Sequence, residues 1–332
     1  MIAIPPPFQG GVWGWFFYNV INEFDIYYYN IIRIYIPPNF CLKNPGFSKT
    51  AILLYFIYMN DKVKIAWFGK HFGEEPPLTG TAKQGAGTIF FSDCNLRCVF
   101  CQNWQISHEN SGKEYTISGL AKIMLDLQDQ GAVNIDLVTP TPWRQEIRST
   151  VILARELGLK IPIAWNSNSY ESVAAIKDLA GIVDIYLPDF KYGDDELAAK
   201  YSRAPKYSEV ADKTIREMYR QVGILQTDEN DVAQKGIIIR HMILPNNLEN
   251  SFLALEKIAA IDKNIHLSLM SQYAPLYHAA EFPELNRQIT PEEFAAVEKK
   301  KLELGLDFGW TQEPEAGEIF IPDFNKQNPF EK

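Results

Sequence analysis

From Lys62 onward, short apolar, β-branched runs alternate with segments whose apolar residues recur every three to four positions. The runs Thr88–Phe91, Val133–Val138, Ile161–Trp165, Ile182–Leu187, Ile237–Leu244 and Ile265–Leu269 have the length and residue types of buried strands. Helical spacing follows in Thr116–Gln130, where Ile117, Leu120, Ile123, Met124 and Leu127 share one face and Gly131 supplies the stop. Further helices are predicted over Pro142–Leu157, Tyr170–Leu179, Tyr207–Val222, Leu248–Ile261 and Pro291–Leu304. The last has a full start signal, with Thr290 as N-cap, Pro291 in the first turn and Glu293 closing a capping box. Strands alternating with helices about six times imply an α/β domain built on a parallel sheet. Periodicity leaves a barrel, a partial barrel and an open doubly wound sheet all available; in each, chemistry belongs at the carboxyl ends of the strands.

Residues 1–60 break this pattern. They hold five of the 73 charged residues but 16 of the 43 aromatics, including Tyr27-Tyr28-Tyr29. The expected organisation is an atypical aromatic-rich segment over 1–60, a core domain over 61–325 and a C-terminal tail over 326–332. The first segment reads as a mis-assigned start, a disordered or lineage-specific extension, or a small hydrophobic domain.

Composition narrows the function classes. A net charge of −9 without a Lys/Arg run argues against a nucleic-acid partner, because backbone phosphates need a basic surface. The run Ala51–Tyr58 is far short of the ~20 residues of a spanning helix, and no basic region precedes the apolar N-terminus. A soluble, cytoplasmic protein with no membrane association is expected.

Four cysteines in 332 residues do not make a disulfide scaffold, and three of them fall together as Cys94, Cys98 and Cys101, spaced C-x3-C-x2-C directly after the first strand. Thiolates suit iron–sulfur clusters and zinc alike. Structural zinc usually takes paired C-x2-C knuckles, whereas this is one asymmetric triplet on one loop. A [4Fe–4S] cluster is therefore expected, with one iron left without a protein ligand. The zinc alternative, a non-catalytic metal-binding interaction protein, would need His108 as fourth ligand. Cys41 reads as a bystander thiol.

The cysteine loop resembles the radical SAM superfamily motif. The wider chain, from about Lys64 to Phe324, is similar to homologues of pyruvate formate-lyase activating enzyme. The resemblance runs through His71-Phe72-Gly73-Glu74-Glu75-Pro76-Pro77, Gly87–Ser92, Leu137–Thr141, Ile185–Tyr192 and Met270–Tyr273. It implies a partial (β/α)6 barrel of the TIM-like kind, with S-adenosylmethionine (SAM) bound at the open iron and cleaved reductively to a 5′-deoxyadenosyl radical. It further implies flavodoxin or ferredoxin as reductant and a protein glycyl residue as one target; a small molecule or a peptide is the alternative substrate. For SAM contacts it points to Phe100 at the adenine, and to Thr139 and Thr141 at the methionine amino group. Asn166 would serve ribose or carboxylate, Lys191 beside Asp189 the methionine carboxylate, and Arg240 a carboxylate or phosphate. Each has a plainer reading: core packing for Phe100, a turn for the threonines, a helix cap for Asn166, a rim salt bridge for Asp189 and Lys191. His241, next to Arg240, reads as a packing histidine, since strand neighbours face opposite ways. Three departures stand out: Asp93 in place of a glycine before Cys94, Pro142 in place of a histidine after Thr141, and the lack of a further cysteine-rich N-terminal segment.

Overall fold

The computed structural model describes residues 61–312 and 321–331; the aromatic-rich segment 1–60, with Cys41, lies outside the described residues. The chain enters with β1 (Lys62–His71), the short helix α1 (Pro76–Thr79) and β2 (Ala86–Phe91). The cysteine loop and a one-turn helix α2 (Trp104–Ser107) lead to β3 (Lys113–Thr116) and α3 (Ile117–Asp129). Strand–helix units then repeat: β4 (Ile135–Val138) and α4 (Arg144–Glu156), β5 (Ile163–Ser167) and α5 (Val173–Lys177), β6 (Ile185–Pro188) with α6 (Asp195–Ser202) and α7 (Tyr207–Val222). A two-residue β7 (Gln226–Thr227) precedes β8 (Ala233–Met242) and α8 (Leu248–Ala259), and β9 (His266–Met270), α9 (Pro291–Glu303) and β10 (Gly309–Thr311) complete the core.

The strands form one sheet in the order β10-β9-β8-β6-β5-β4-β2-β1-β3, with β7 paired to β8. The six expected strands pair in parallel, β10 adds a seventh beside β9, and β1 and β3 close the other flank antiparallel. The edges β10 and β3 do not meet, so the fold is an open partial barrel. β10 is too short, at three residues, to leave a pattern in the sequence. β1 was missed although Val63 and Ile65 alternate with lysines and are both buried.

The helix ends obey local chemistry. Thr290 Oγ1 accepts from Glu293 N at 3.2 Å while Glu293 Oε2 accepts from Thr290 N at 2.9 Å, the reciprocal capping box expected there. α5 starts three residues later than predicted because Ser172 caps it, accepting from Ala175 N at 3.1 Å. The helix α6 escaped the sequence reading; Asp194 caps it, accepting from Glu196 N at 2.8 Å, and acidic Asp195 and Glu196 occupy its first turn.

Inside the barrel, Leu78 packs with Ala164, Ile185, Leu187, Ala233 and Ile238, plugging the amino-terminal ends of the strands. Helix-facing residues such as Ile89, Leu137 and Ile239 belong to a second, larger core. The interior beyond the plug stays polar and open.

Candidate functional site

A cavity of about 600 Å³ opens at the carboxyl ends of the strands. Its walls include the three cysteines, Phe100, Thr139, Asn166, Asp189, Lys191 and Arg240. The loop carrying the cysteines is held from outside the barrel: Arg97 N and Val99 N donate to the carbonyls of Ser202 and Tyr201 at 3.0 and 2.8 Å, and Asp93 N donates to Ile106 O at 2.9 Å. The indole of Trp143 adds a 2.7 Å bond to Ser92 O. Asp93 sits at φ 73°, the left-handed region that favours glycine. Its carboxylate accepts from Cys94 N at 2.8 Å, which explains how an aspartate is accommodated there.

The sulfurs are surrounded by donors. Asn168 Nδ2 and Leu96 N approach Cys94 Sγ, each at 3.4 Å, and Ser202 Oγ donates to Cys98 Sγ at 3.0 Å. Donors aimed at sulfur favour thiolate over thiol and tune a bound cluster. Burial, reinforced by the charge of Cys98, pushes the Cys94 thiol up to about 11. Burial likewise raises Cys98 and Cys101, with Cys98 and Cys94 adding to the rise at Cys101. Three such thiols ionise together only when a cation takes them as ligands. Among the described residues, no group of three His, Cys, Asp or Glu side chains is arranged to close on one metal ion. Three soft thiolate donors beside a cavity of this size suit a multi-atom cluster. His108, the fourth ligand of the zinc alternative, stacks on Tyr277 at 5.1 Å instead.

The SAM candidates divide. Phe100 is buried and meets Tyr273 edge-on at 5.6 Å. Thr139, at φ 58° with its N–H on Asn166 O at 3.0 Å, is a β-branched residue in a strained conformation beside the cavity. Thr141 is not among the cavity walls; its hydroxyl is buried without a hydrogen-bond partner. Lys191 pairs with Asp189 and feels the charges of Cys98 and Cys101. The pair is largely buried, so it is no rim bridge; burial opposes the Lys191 charge, but these anions together raise its pKa. Arg240 points into the barrel, as expected, but its guanidinium is taken by Glu74 and by both oxygens of Glu75. It is therefore not free for a ligand carboxylate. His241 is fully buried between Phe190 O at 2.7 Å and Ser251 Oγ at 2.9 Å, the packing role read from its strand position.

Sequence reasoning missed the floor. Glu74 and Glu75 stood only within the resembling segment, and Asp136 carried no signal beyond a polar residue inside an apolar strand. Asp136 is fully buried, and neither carboxylate oxygen has a hydrogen-bond partner. Burial, then the charge of Glu74, raises its pKa well above the usual carboxylate range, opposed by the charge of Arg240. A raised acid contributes stability that is complete below its unfolded-state pKa and is lost as pH rises toward the folded value. Asp136→Asn, which mimics the protonated form, is thus expected to raise the melting temperature at pH 7 to 8, with the gain shrinking toward pH 4. Calorimetry across that range checks it; a gain that is flat or grows toward acid would remove Asp136 from this role.

The tail also joins the site. Phe330 lines the cavity and lies 4.1 Å from the ring of His71, while Gln105 ties the segment down through Phe324 N at 2.8 Å and Asp323 at 3.1 Å.

Residues 88–225 match the family model of the Radical SAM superfamily, and the chain carries a domain of that superfamily. That superfamily uses a [4Fe–4S] cluster and S-adenosylmethionine. The chain is 36% identical over 247 residues to the uncharacterized protein MJ0674 of Methanocaldococcus jannaschii, a match covering 70% of this chain and 64% of the relative's length. Among solved structures it overlaps Streptococcus suis SuiB bound to precursor peptide SuiA, at 12% identity and TM-score 0.48 over 67% of this chain and 46% of that one. It also overlaps a domain of pyruvate-formate lyase-activating enzyme from Bacteroides vulgatus, at 13% identity and TM-score 0.38 over 52% of this chain and 94% of that one. Among the described residues, no helix is long and apolar enough to cross a membrane.

Proposed function

We propose that this chain is a radical SAM enzyme in which Cys94, Cys98 and Cys101 hold the [4Fe–4S] cluster. When bound, the cluster and SAM together supply reductive cleavage of the sulfonium and a 5′-deoxyadenosyl radical that abstracts hydrogen from a substrate. The observation that carries this reading is the convergence of three thiols, one buried and two half-buried and at least two of them met by N–H or O–H donors, on one wall of a roomy cavity. Lys191, set between Asp189 and the thiols, balances thiolate charge and stands ready for the methionine carboxylate. Phe100 supports the adenine, and Asn166 with Thr139 supplies polar contacts at the neighbouring strand ends. Thr141 and Arg240 are left out of the SAM contacts for the reasons given above.

Abstraction from a glycyl residue of a partner protein follows from the likeness of the sequence to activating enzymes, and flavodoxin or ferredoxin fits as electron donor. A small molecule or peptide is the alternative substrate, because one cleavage chemistry serves many targets.

Anaerobic reconstitution with iron and sulfide tests the reading. The expected result is a brown protein with a reducible cluster signal that releases 5′-deoxyadenosine from SAM on reduction. A colourless, zinc-loaded protein releasing none ends it.

A further inference from the structure

The cavity has two unlike halves. One holds the cysteines, Asn166, Asp189 and Lys191; the other is built from β8, β9, β10 and the loop after β1. On that second half Glu74 and Glu75 reach across the barrel to Arg240, while Asp136 lies in the same buried group and couples to all three. Three carboxylates thus face one guanidinium. His71, whose Nε2 is 3.8 Å from Glu74, does not restore the balance: burial, aided by Arg240, outweighs the pull of Glu74 and lowers its pKa. Asp189 does not draw on Arg240 alone either, since it is matched by Lys191.

Buried carboxylates in excess of their cations are costly unless protonated or paired. Asp136, which no hydrogen bond satisfies, can take a proton out of reach of the cavity. Glu74 differs, because it is itself a cavity wall. With Asp136 neutral, Glu74 and Glu75 still share a single guanidinium, leaving one negative charge on this half of the cavity. On the same half of the cavity, Met242, Met270 and Trp310 offer apolar cover for an aliphatic stem. We propose that this wall binds a cationic group of the substrate, a protonated amine or guanidinium, against Glu74. The substrate class rests on the radical SAM reading of the same cavity, while the charge imbalance stands independently of it.

Binding to the anaerobically reconstituted full chain tests the proposal by calorimetry at low ionic strength, with n-butylammonium and n-butylguanidinium set against n-butanol and butyrate. A capped Gly-Lys-Gly tripeptide against its norleucine counterpart separates a peptide side chain from a small amine as the source. The cations are expected to bind about tenfold or more tighter than the neutral and anionic probes, and Glu74→Gln is expected to abolish that preference. Glu74→Asp, which keeps the charge, should retain it, so the proposal stays testable if Glu74→Gln does not fold. Equal binding of butanol, no binding of any cation, or a preference that survives Glu74→Gln overturns the proposal. In the same preparations, release of 5′-deoxyadenosine without any cation preference sinks this inference alone. A cation preference without SAM cleavage sinks the enzymatic reading alone.

Discussion

Serine at Cys98 is expected to reduce the iron bound after reconstitution from about four atoms per chain to near none, and to abolish 5′-deoxyadenosine release. Cys98 is the most enclosed of the three thiols by surface exposure and accepts a hydrogen bond from Ser202. A hydroxyl at its ordinary pKa cannot replace thiolate as a soft ligand. The fold should survive, because one sulfur is exchanged for one oxygen in a site that also contacts solvent-sized space. Cys94→Ser and Cys101→Ser should behave alike, whereas Cys41→Ala should leave iron content unchanged. Ser202→Ala gives the graded control: removing a donor that supports a ligand typically costs about 10- to 100-fold in metal affinity. Iron analysis with electron paramagnetic resonance reads all of these. A cluster that persists in Cys98→Ser, or one lost in Cys41→Ala, would falsify the ligand assignment.

The second large effect is on stability. Arg240→Met removes the guanidinium that holds Glu74 and Glu75 and leaves three buried carboxylates without a cation. Breaking a buried ion group from one side costs about 3–5 kcal/mol, which for a chain of this size lowers the melting temperature by about 4–9 °C. The loss should be partly reversed in a protein that also carries Glu74→Gln and Glu75→Gln, since neutral amides need no counter-ion. The pH dependence should change too. In the parent chain Arg240, against the opposing effect of burial, keeps the Glu75 carboxyl below its usual range, so that contribution is present above the unfolded-state pKa and is lost as pH falls through the folded value. Without Arg240, burial raises the Glu75 carboxyl instead, and stability should decline as pH rises from about 4. Thermal unfolding from pH 4 to 8 distinguishes the two slopes. An Arg240→Met protein that melts with the parent would mean the carboxylates find another cation.

How much of this was legible beforehand follows from range. Strand and helix identities were readable because burial imposes local periods: the six parallel strands and the capping box at Thr290 fell where apolar spacing and cap chemistry put them. The cysteine triplet was readable because its three cysteines fall within eight residues of one loop. That only one of Arg240 and His241 could face inward followed from strand alternation; that it is Arg240 the structure shows.

The partners of those residues were not readable. Ser202 reaches Cys98 from 104 positions away, and Glu75 reaches Arg240 across 165; nothing in local spacing encodes either. Asp136 looks like a stray polar residue in a strand until the barrel brings it beside Glu74. Phe330, from what reads as a tail, becomes a wall of the cavity only after the chain folds back onto β1 and β2. The sequence by itself determined the six parallel strands, most of the helices beside them and the soft-ligand triplet, because each is written within a few turns of chain. Only the tertiary structure decided which residues surround those thiols, which charges go unmatched and therefore what the opposite wall can bind. Burial and electrostatic balance are properties of the assembled barrel, not of any one segment.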